Sequence, residues 1–279
     1  MPVRIVTDST SDLPAEIARR YQIEIIPNNL ILDGRSYKDD GTEITREEFY
    51  SRLPGLSTPP TTATASSGDY LALYNRIFQQ GVDHIISIHP AAVLSGILNA
   101  VSIAAQIAEK TVHVIDSGQV TLGLGFQAMA AAQAAQEGKP LSTILKCIEE
   151  VHSRVRVVAM LDTLEYVRRS GRVSWAETRL AALFGLRPFI ELREGKILSL
   201  GEARSRKKGI QRLGEILRKL GKVERMVILH TNAEQDALQF QSLHQHLSAE
   251  PVWLCNVTSV IGTHVGPNGL GFAVVTSEG

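Results

Sequence analysis

Short apolar, β-branched runs alternate along the first half of the chain with turns carrying Asp, Ser or Gly and then with segments of helical periodicity. That rhythm predicts parallel strands, each returned by a helix. Val3 to Thr7 gives the first strand, followed by Asp8-Ser9-Thr10-Ser11-Asp12 and a helix from about Pro14, where proline suits a first turn. Ile23 to Leu32 is the next extended run. His84 to His89 and Val112 to Ile115 supply two more strands, each leading through a bend into an Ala- and Leu-rich helix. Pro54 to Ser67 is dense in Pro, Ser and Thr without apolar periodicity and predicts a loop, of a length that inside a compact domain is usually functional.

The pattern changes near Arg154. A strand reaching Met160 precedes two helices through Phe184, and Arg187 to Arg204 then carries the hairpin turn Arg193-Glu194-Gly195-Lys196. Arg206 to Leu220 and Ala233 to Leu247 read as helices around a strand at Met226 to His230, with further strands near Val252 to Val257 and Phe272 to Thr276. The expected class is α/β: an N-terminal three-layer parallel-sheet domain over residues 1–153, and a C-terminal α/β domain with a mixed or antiparallel sheet over 154–279. The length of 279 residues agrees, because one compact core rarely grows past about 250 residues; a ligand is expected between the two domains.

Charge and cysteine usage narrow the partners. Lys plus Arg number 29 and Asp plus Glu number 29, so no large single-sign field draws the chain to nucleic acid or an anionic membrane. Cys147 and Cys255 stand far apart, outside any C-x-x-C spacing, which argues against a zinc site or disulfide framework and fits a reducing cytoplasm. The start Met-Pro-Val-Arg-Ile-Val-Thr-Asp lacks the pattern of a signal peptide. No apolar run approaches the ~20 residues of a membrane span, since Gln127 and Gln133 interrupt the Ala-rich stretch from Phe126 to Ala135. A soluble cytoplasmic protein without membrane insertion is expected.

Several polar segments stand where strands end, the place where open parallel sheets hold ligands. Asp8 to Asp12 either faces a ligand or caps the following helix, and Asp116-Ser117-Gly118 has the same two readings. Thr58, Thr61, Thr62, Thr64, Ser66 and Ser67 make the loop before Gly68 rich in hydroxyls, a solvated surface or a binding one. Ser95 of Leu94-Ser95-Gly96 is expected in a first helical turn, where free backbone N–H groups favour an anion and where capping is the plainer explanation. His264 stands before Gly266, Pro267 and Gly269, in a bend that lets backbone approach a ligand; it is either a structural hydrogen-bonder or a donor to a carboxylate. Arg168 to Arg172 and Arg204 to Lys208 are basic clusters, either solvated faces or docking surfaces. H-E-x-x-H, P-loop, G-x-G-x-x-G and G-x-S-x-G motifs are absent, and His244-Gln-His246 has the wrong spacing for a helical metal pair, so neither a catalytic residue nor a metal or cofactor site is expected.

Taken in order, Thr7-Asp8-Ser9 with Asp12, Thr62 ahead of Gly68-Asp69-Tyr70, Leu94-Ser95-Gly96, and Asp116-Ser117 with Gly123-Leu124-Gly125 resemble the DegV family. The resemblance continues through Leu164-Glu165-Tyr166, Ser170-Gly171-Arg172-Val173, Arg187-Pro188, Arg204 to Lys208, and His264 with Gly266-Pro267, nearly end to end. It implies a binding protein rather than an enzyme, holding a long-chain fatty acid in a tunnel between the domains. Its carboxylate would meet Thr62 and Ser95 with His264 close by. Some relatives are the carrier subunits of fatty acid kinases, in which an arginine matching Arg172 is associated with docking the kinase. The chain departs from the pattern at Ala63-Thr64-Ala65 and Ala91-Ala92, which implies fewer polar contacts near the carboxylate, and at Ser170 and Asn268, which each replace a glycine of the family's bends at the docking surface and the last turn. Two other classes stay open: an acyl hydrolase with Ser95 as nucleophile and His264 as base, and a phosphotransfer protein related to dihydroxyacetone kinases with His264 as phosphate acceptor.

Overall fold

The computed structural model describes residues 2–173 and 185–277. The second helix expected before Phe184 lies outside the described residues. The parallel sheet has the order β2-β1-β6-β7, from β1 (Val3–Asp8), β2 (Glu24–Ile26), β6 (His84–His89) and β7 (Val112–Asp116). Alternation along its strands divides the interior. Ile5, Ile86 and Ile88 pack toward α5 (Leu122–Gln136), while Val6 and Ile85 pack toward α3 (Ser67–Gln79) and α4 (Ile97–Ile107). This is the expected three-layer arrangement.

The second sheet runs β10-β9-β8-β13-β11-β12 and is mixed. β8 (Val155–Met160), β9 (Arg187–Arg193), β10 (Lys196–Ala203), β11 (Val223–His230) and β13 (Leu270–Thr276) pair antiparallel, and β12 (Trp253–Asn256) lies parallel to β11. Val158, Met160, Phe272 and Val274 face α8 (Arg206–Lys219) and α9 (Glu234–His244), whereas Val157, Ala273 and Val275 share a cluster with α5 and α6 (Leu141–Arg154). One hydrophobic interior therefore runs from the parallel sheet through α5 to the mixed sheet. Glycine makes that passage narrow: a Cβ on Gly125 would stand 2.8 Å from the Ser11 carbonyl oxygen.

Two expectations are corrected. Ile23 to Leu32 is not one run, because Pro27 lacks a donor and Asn28 turns its N–H to Ser9 Oγ; β2 ends there and β3 (Asn29–Leu32) joins another sheet. Part of the Pro54 to Ser67 loop is a strand, β5 (Thr61–Ala63), which closes the three-stranded sheet β4-β3-β5 with β4 (Arg35–Lys38). An edge strand of three residues behind Pro59-Pro60 leaves no period to read. Beneath this small sheet lies α2 (Arg46–Arg52), whose buried Phe49 and Tyr50 pack with Leu30 and Leu32.

Candidate functional site

From β1 the chain leaves to one side for β2 and returns on the other for β6, so the strand order reverses at the carboxyl ends of β1 and β6, where a crevice opens. A cavity of about 230 Å³ lies there. Strands of the small and mixed sheets wall it, with Thr10 and Pro90 from the segments that follow β1 and β6. Val120, Val157, Ile190, Leu192, Leu229 and Ile261 make the wall predominantly apolar.

Polar groups gather around His264 on α10 (Ser259–Val265), a helix that the glycine-rich bend after it hid from the sequence reading. His264 Nε2 lies 3.0 Å from Thr62 Oγ1, and Arg172 Nη1 lies 2.8 Å from Nδ1 and 3.0 Å from Nε2 of the same ring. A guanidinium only donates, so the ring nitrogen that takes the Arg172 contact accepts and the other carries the proton; with the proton on Nε2, that nitrogen donates to Thr62. The Thr62 hydroxyl hydrogen is then free for a ligand. Burial, with the Arg172 charge adding to it, holds the His264 imidazole down at about 3. Arg172 Nε donates to the Leu94 carbonyl at 2.6 Å, and among the described residues no carboxylate pairs with this guanidinium. Among the described residues the half-buried Arg172 is a positive charge without a carboxylate partner, and it lines a mostly apolar cavity.

The sequence-predicted residues thus meet in one cavity. Thr62, Ser95, His264 and Arg172 all line it. Ser95 stands just ahead of α4 rather than in its first turn, because Gly96 takes the cap position; its Oγ accepts from Ile97 N at 3.3 Å and keeps its own proton to give. Arg172, expected on a docking surface, turns its guanidinium inward to His264 and Leu94. Ser95 and His264 share no hydrogen bond among the described residues, and His264 is engaged by Thr62 and Arg172 instead. A Ser–His–Asp chain does exist elsewhere: His89 Nδ1 meets Asp8 Oδ2 at 2.7 Å and Nε2 meets Ser87 Oγ at 2.7 Å. All three side chains are fully buried, and none of the three lines the cavity.

Asp8 and Asp12 explain the polar segment after β1. Asp8 Oδ1 accepts from Thr10 N, Thr10 Oγ1 and Asn28 Nδ2 at 3.0, 2.6 and 2.9 Å. Asp12, also fully buried, accepts from Thr121 Oγ1 at 2.7 Å and Thr258 N at 2.9 Å and pairs with Arg46 at 3.1 Å. Thr258 precedes α10, and its hydroxyl donates to Asp39. Thr10, Asn28 and Thr121 line the cavity, as does His230, whose Nδ1 accepts from Ala233 N at 3.3 Å. Asn28, Thr121 and His230 are not marked for the site by the sequence, whereas Thr10 lies in the Asp8 to Asp12 segment expected to face a ligand or cap a helix. Only Thr10 carried a signal, its place at a strand end.

These buried acids set a pH dependence. Burial raises the half-buried Asp39 carboxyl to about 6, against the donors Thr258 and Ser9 and the Arg46 charge. A raised carboxyl stabilises the fold fully below its unfolded value near 4, and that contribution is lost as pH climbs through 6. His264 acts oppositely: its depressed value favours the fold above about 6.5 and that stability drains away as pH falls toward 3. Asp39→Asn should therefore raise the urea-unfolding free energy at pH 8 by about 1–2 kcal/mol, allowing for solvent screening, and change it little at pH 4. Equal gains at both pH values would refute this account.

Among the described residues no helix is long and apolar enough to cross a membrane, and no three His, Cys, Asp or Glu side chains gather as metal ligands. The family model described as an uncharacterised protein, DegV family, matches residues 2–277. A DegV domain-containing protein of Streptomyces coelicolor is 33% identical, over 98% of this chain and 98% of the relative. Among solved structures, a fatty-acid-binding DegV family protein from Thermus thermophilus superposes with a TM-score of 0.90 at 29% identity, covering 99% of this chain and 100% of the other. DegV of Bacillus subtilis, described as a fatty acid binding protein, gives 0.85 at 28% identity over 99% and 100%. With a family model spanning nearly its whole length and the same fold in solved relatives, this chain belongs to the DegV family.

Proposed function

We propose that the protein is a carrier that encloses one long-chain fatty acid in this cavity, the acyl chain against the apolar walls and the carboxylate against Arg172, Thr62, Ser95 and His264. In this reading residues 1–153 and 154–279 act as two units that hold the acid between them, and no chemistry is performed on it by this chain alone. The observation that carries the reading is the Arg172 guanidinium, paired with no carboxylate among the described residues and backed by neutral donors, on the wall of a predominantly apolar cavity. Burying the tail supplies affinity: about 0.8 kcal/mol per methylene gives a C16 chain on the order of 10 kcal/mol. Association costs on the order of 4–15 kcal/mol offset much of that gain. The head selects, because a carboxylate removed from water needs charge-assisted donors.

Loop residues Ala92, Val93 and Gly96 near this end are exposed, which supports presentation of the carboxylate to a partner such as a fatty acid kinase subunit. Arg172 contributes to such docking, in this reading, by holding the acid. Denaturing mass spectrometry of lipid extracted from the purified protein should find one fatty acid per chain. An empty protein that also fails to bind a fluorescent fatty acid would end the proposal. Thr62→Val and Ser95→Ala should each weaken palmitate binding about tenfold, the value of one hydrogen bond to a charged group, as read by competition against that fluorescent acid.

A further inference from the structure

The donors at the Arg172 end have a counterpart on the cavity wall formed by Thr10, Asn28 and Thr121, where every proton is already committed. The Thr10 hydroxyl donates to Asp8 and the Thr121 hydroxyl to Asp12, so each turns only lone pairs to other partners. Asn28 is held with Nδ2 on Asp8 Oδ1 and, at 3.3 Å, on Ser9 Oγ; the opposite amide orientation would set its carbonyl against a carboxylate. Among the described residues its Oδ1 has no partner and is closed to water, although Asn28 lines the cavity. An acceptor left unpaired beside a binding cavity points to a donor from the ligand. The arrangement is also held under strain: Thr121 is β-branched yet has a φ of 51°, fixed by its N–H to the Thr10 carbonyl at 2.8 Å and its hydroxyl to Asp12.

Register places this wall close to the carboxylate end. Leu30 pairs with Thr62 across β3 and β5, so Asn28 is the diagonal neighbour of Thr62, roughly 7–8 Å away along the backbone. A carboxylate has no proton to give such a wall and is repelled by lone pairs, so the acid binds with its head at Arg172, and the wall meets the first carbons of the chain. We infer that the Asn28–Thr10–Thr121 wall is a second polar subsite, taking the hydroxyl of a fatty acid hydroxylated near its carboxyl end. This rests on the fatty-acid reading above.

The test compares palmitate, 3-hydroxypalmitate and 3-methoxypalmitate in competition against a fluorescent fatty acid, with 2-hydroxypalmitate as a positional control. The methoxy analogue retains oxygen at the same carbon without a proton. At least one hydroxy acid should bind about three- to tenfold more tightly than the methoxy compound, and no more weakly than palmitate. Asn28→Leu and Thr10→Val should bring the hydroxy-to-methoxy ratio to about one, with folding checked by circular dichroism. If either variant fails to fold, the wild-type ratio decides alone. Hydroxy acids no tighter than the methoxy compound overturn the subsite while leaving the carrier reading intact; failure of palmitate itself to bind overturns that reading instead.

Discussion

Replacing Arg172 with alanine is expected to lower palmitate affinity roughly 30- to 150-fold while leaving the ligand-free protein as stable as before, or slightly more so. The two halves of that result have one cause. In the ligand-free protein the guanidinium is half-buried, its charge matched by no acid among the described residues, and burial already pulls its pKa down. Removing it relieves a desolvation penalty and gives up hydrogen bonds to the Leu94 carbonyl and His264, two effects of opposite sign. In the complex the same group faces the carboxylate, and deleting one member of a desolvated charge pair costs about 2–5 kcal/mol. Partial exposure takes the lower end, about 2–3 kcal/mol, which converts to the stated loss. Titration calorimetry and urea unfolding of the same variant check both halves. A variant that binds palmitate normally would show that the positive charge does not hold the head.

Much of this could be read from the chain and some could not, for identifiable reasons. The β1, β6 and β7 runs are apolar and fully committed to one period, so the parallel sheet was legible, as was the hairpin at Glu194-Gly195 between β9 and β10. β5 and α10 were not, because three residues behind two prolines and seven residues ahead of a glycine-rich bend carry no usable periodicity. Thr62, Ser95 and His264 were legible as a set only through resemblance, since any one hydroxyl or imidazole has a plainer structural explanation. Arg172 was visible as part of a basic run but not as a cavity residue: its direction is fixed by Leu94 and His264, which are 78 and 92 residues away in the chain. Asn28 is one polar residue after a proline, and only the carboxylate of Asp8, brought beside it by the sheet, gives its amide an orientation.

Asp12→Ala should be the most destabilising single change considered, lowering the unfolding free energy by about 3 kcal/mol at pH 7. Asp12 is 3% exposed and joins three parts of the chain: Arg46 on α2, Thr121 before α5 and the Thr258 N–H before α10. Its burial pushes the carboxyl up, opposed first by Arg46, so the ion pair is what the site keeps in exchange for removing both charges from water. Taking away the acid alone leaves Arg46 near Asp39 with one partner fewer and strands the Thr258 N–H, the combination that makes broken buried pairs cost about 3–5 kcal/mol; the partly exposed Arg46 moves the value to the lower limit. Because Thr258 precedes the helix that carries His264, the variant should also weaken palmitate binding in proportion to the freedom α10 gains. The double change Asp12→Ala with Arg46→Met removes both charges together and should recover at least 1 kcal/mol of the loss. Urea denaturation of the two single variants and the double variant measures that coupling. Strict additivity would mean that Asp12 acts through Thr121 and Thr258 alone, and that the buried charge pair contributes nothing to holding α10 against the cavity.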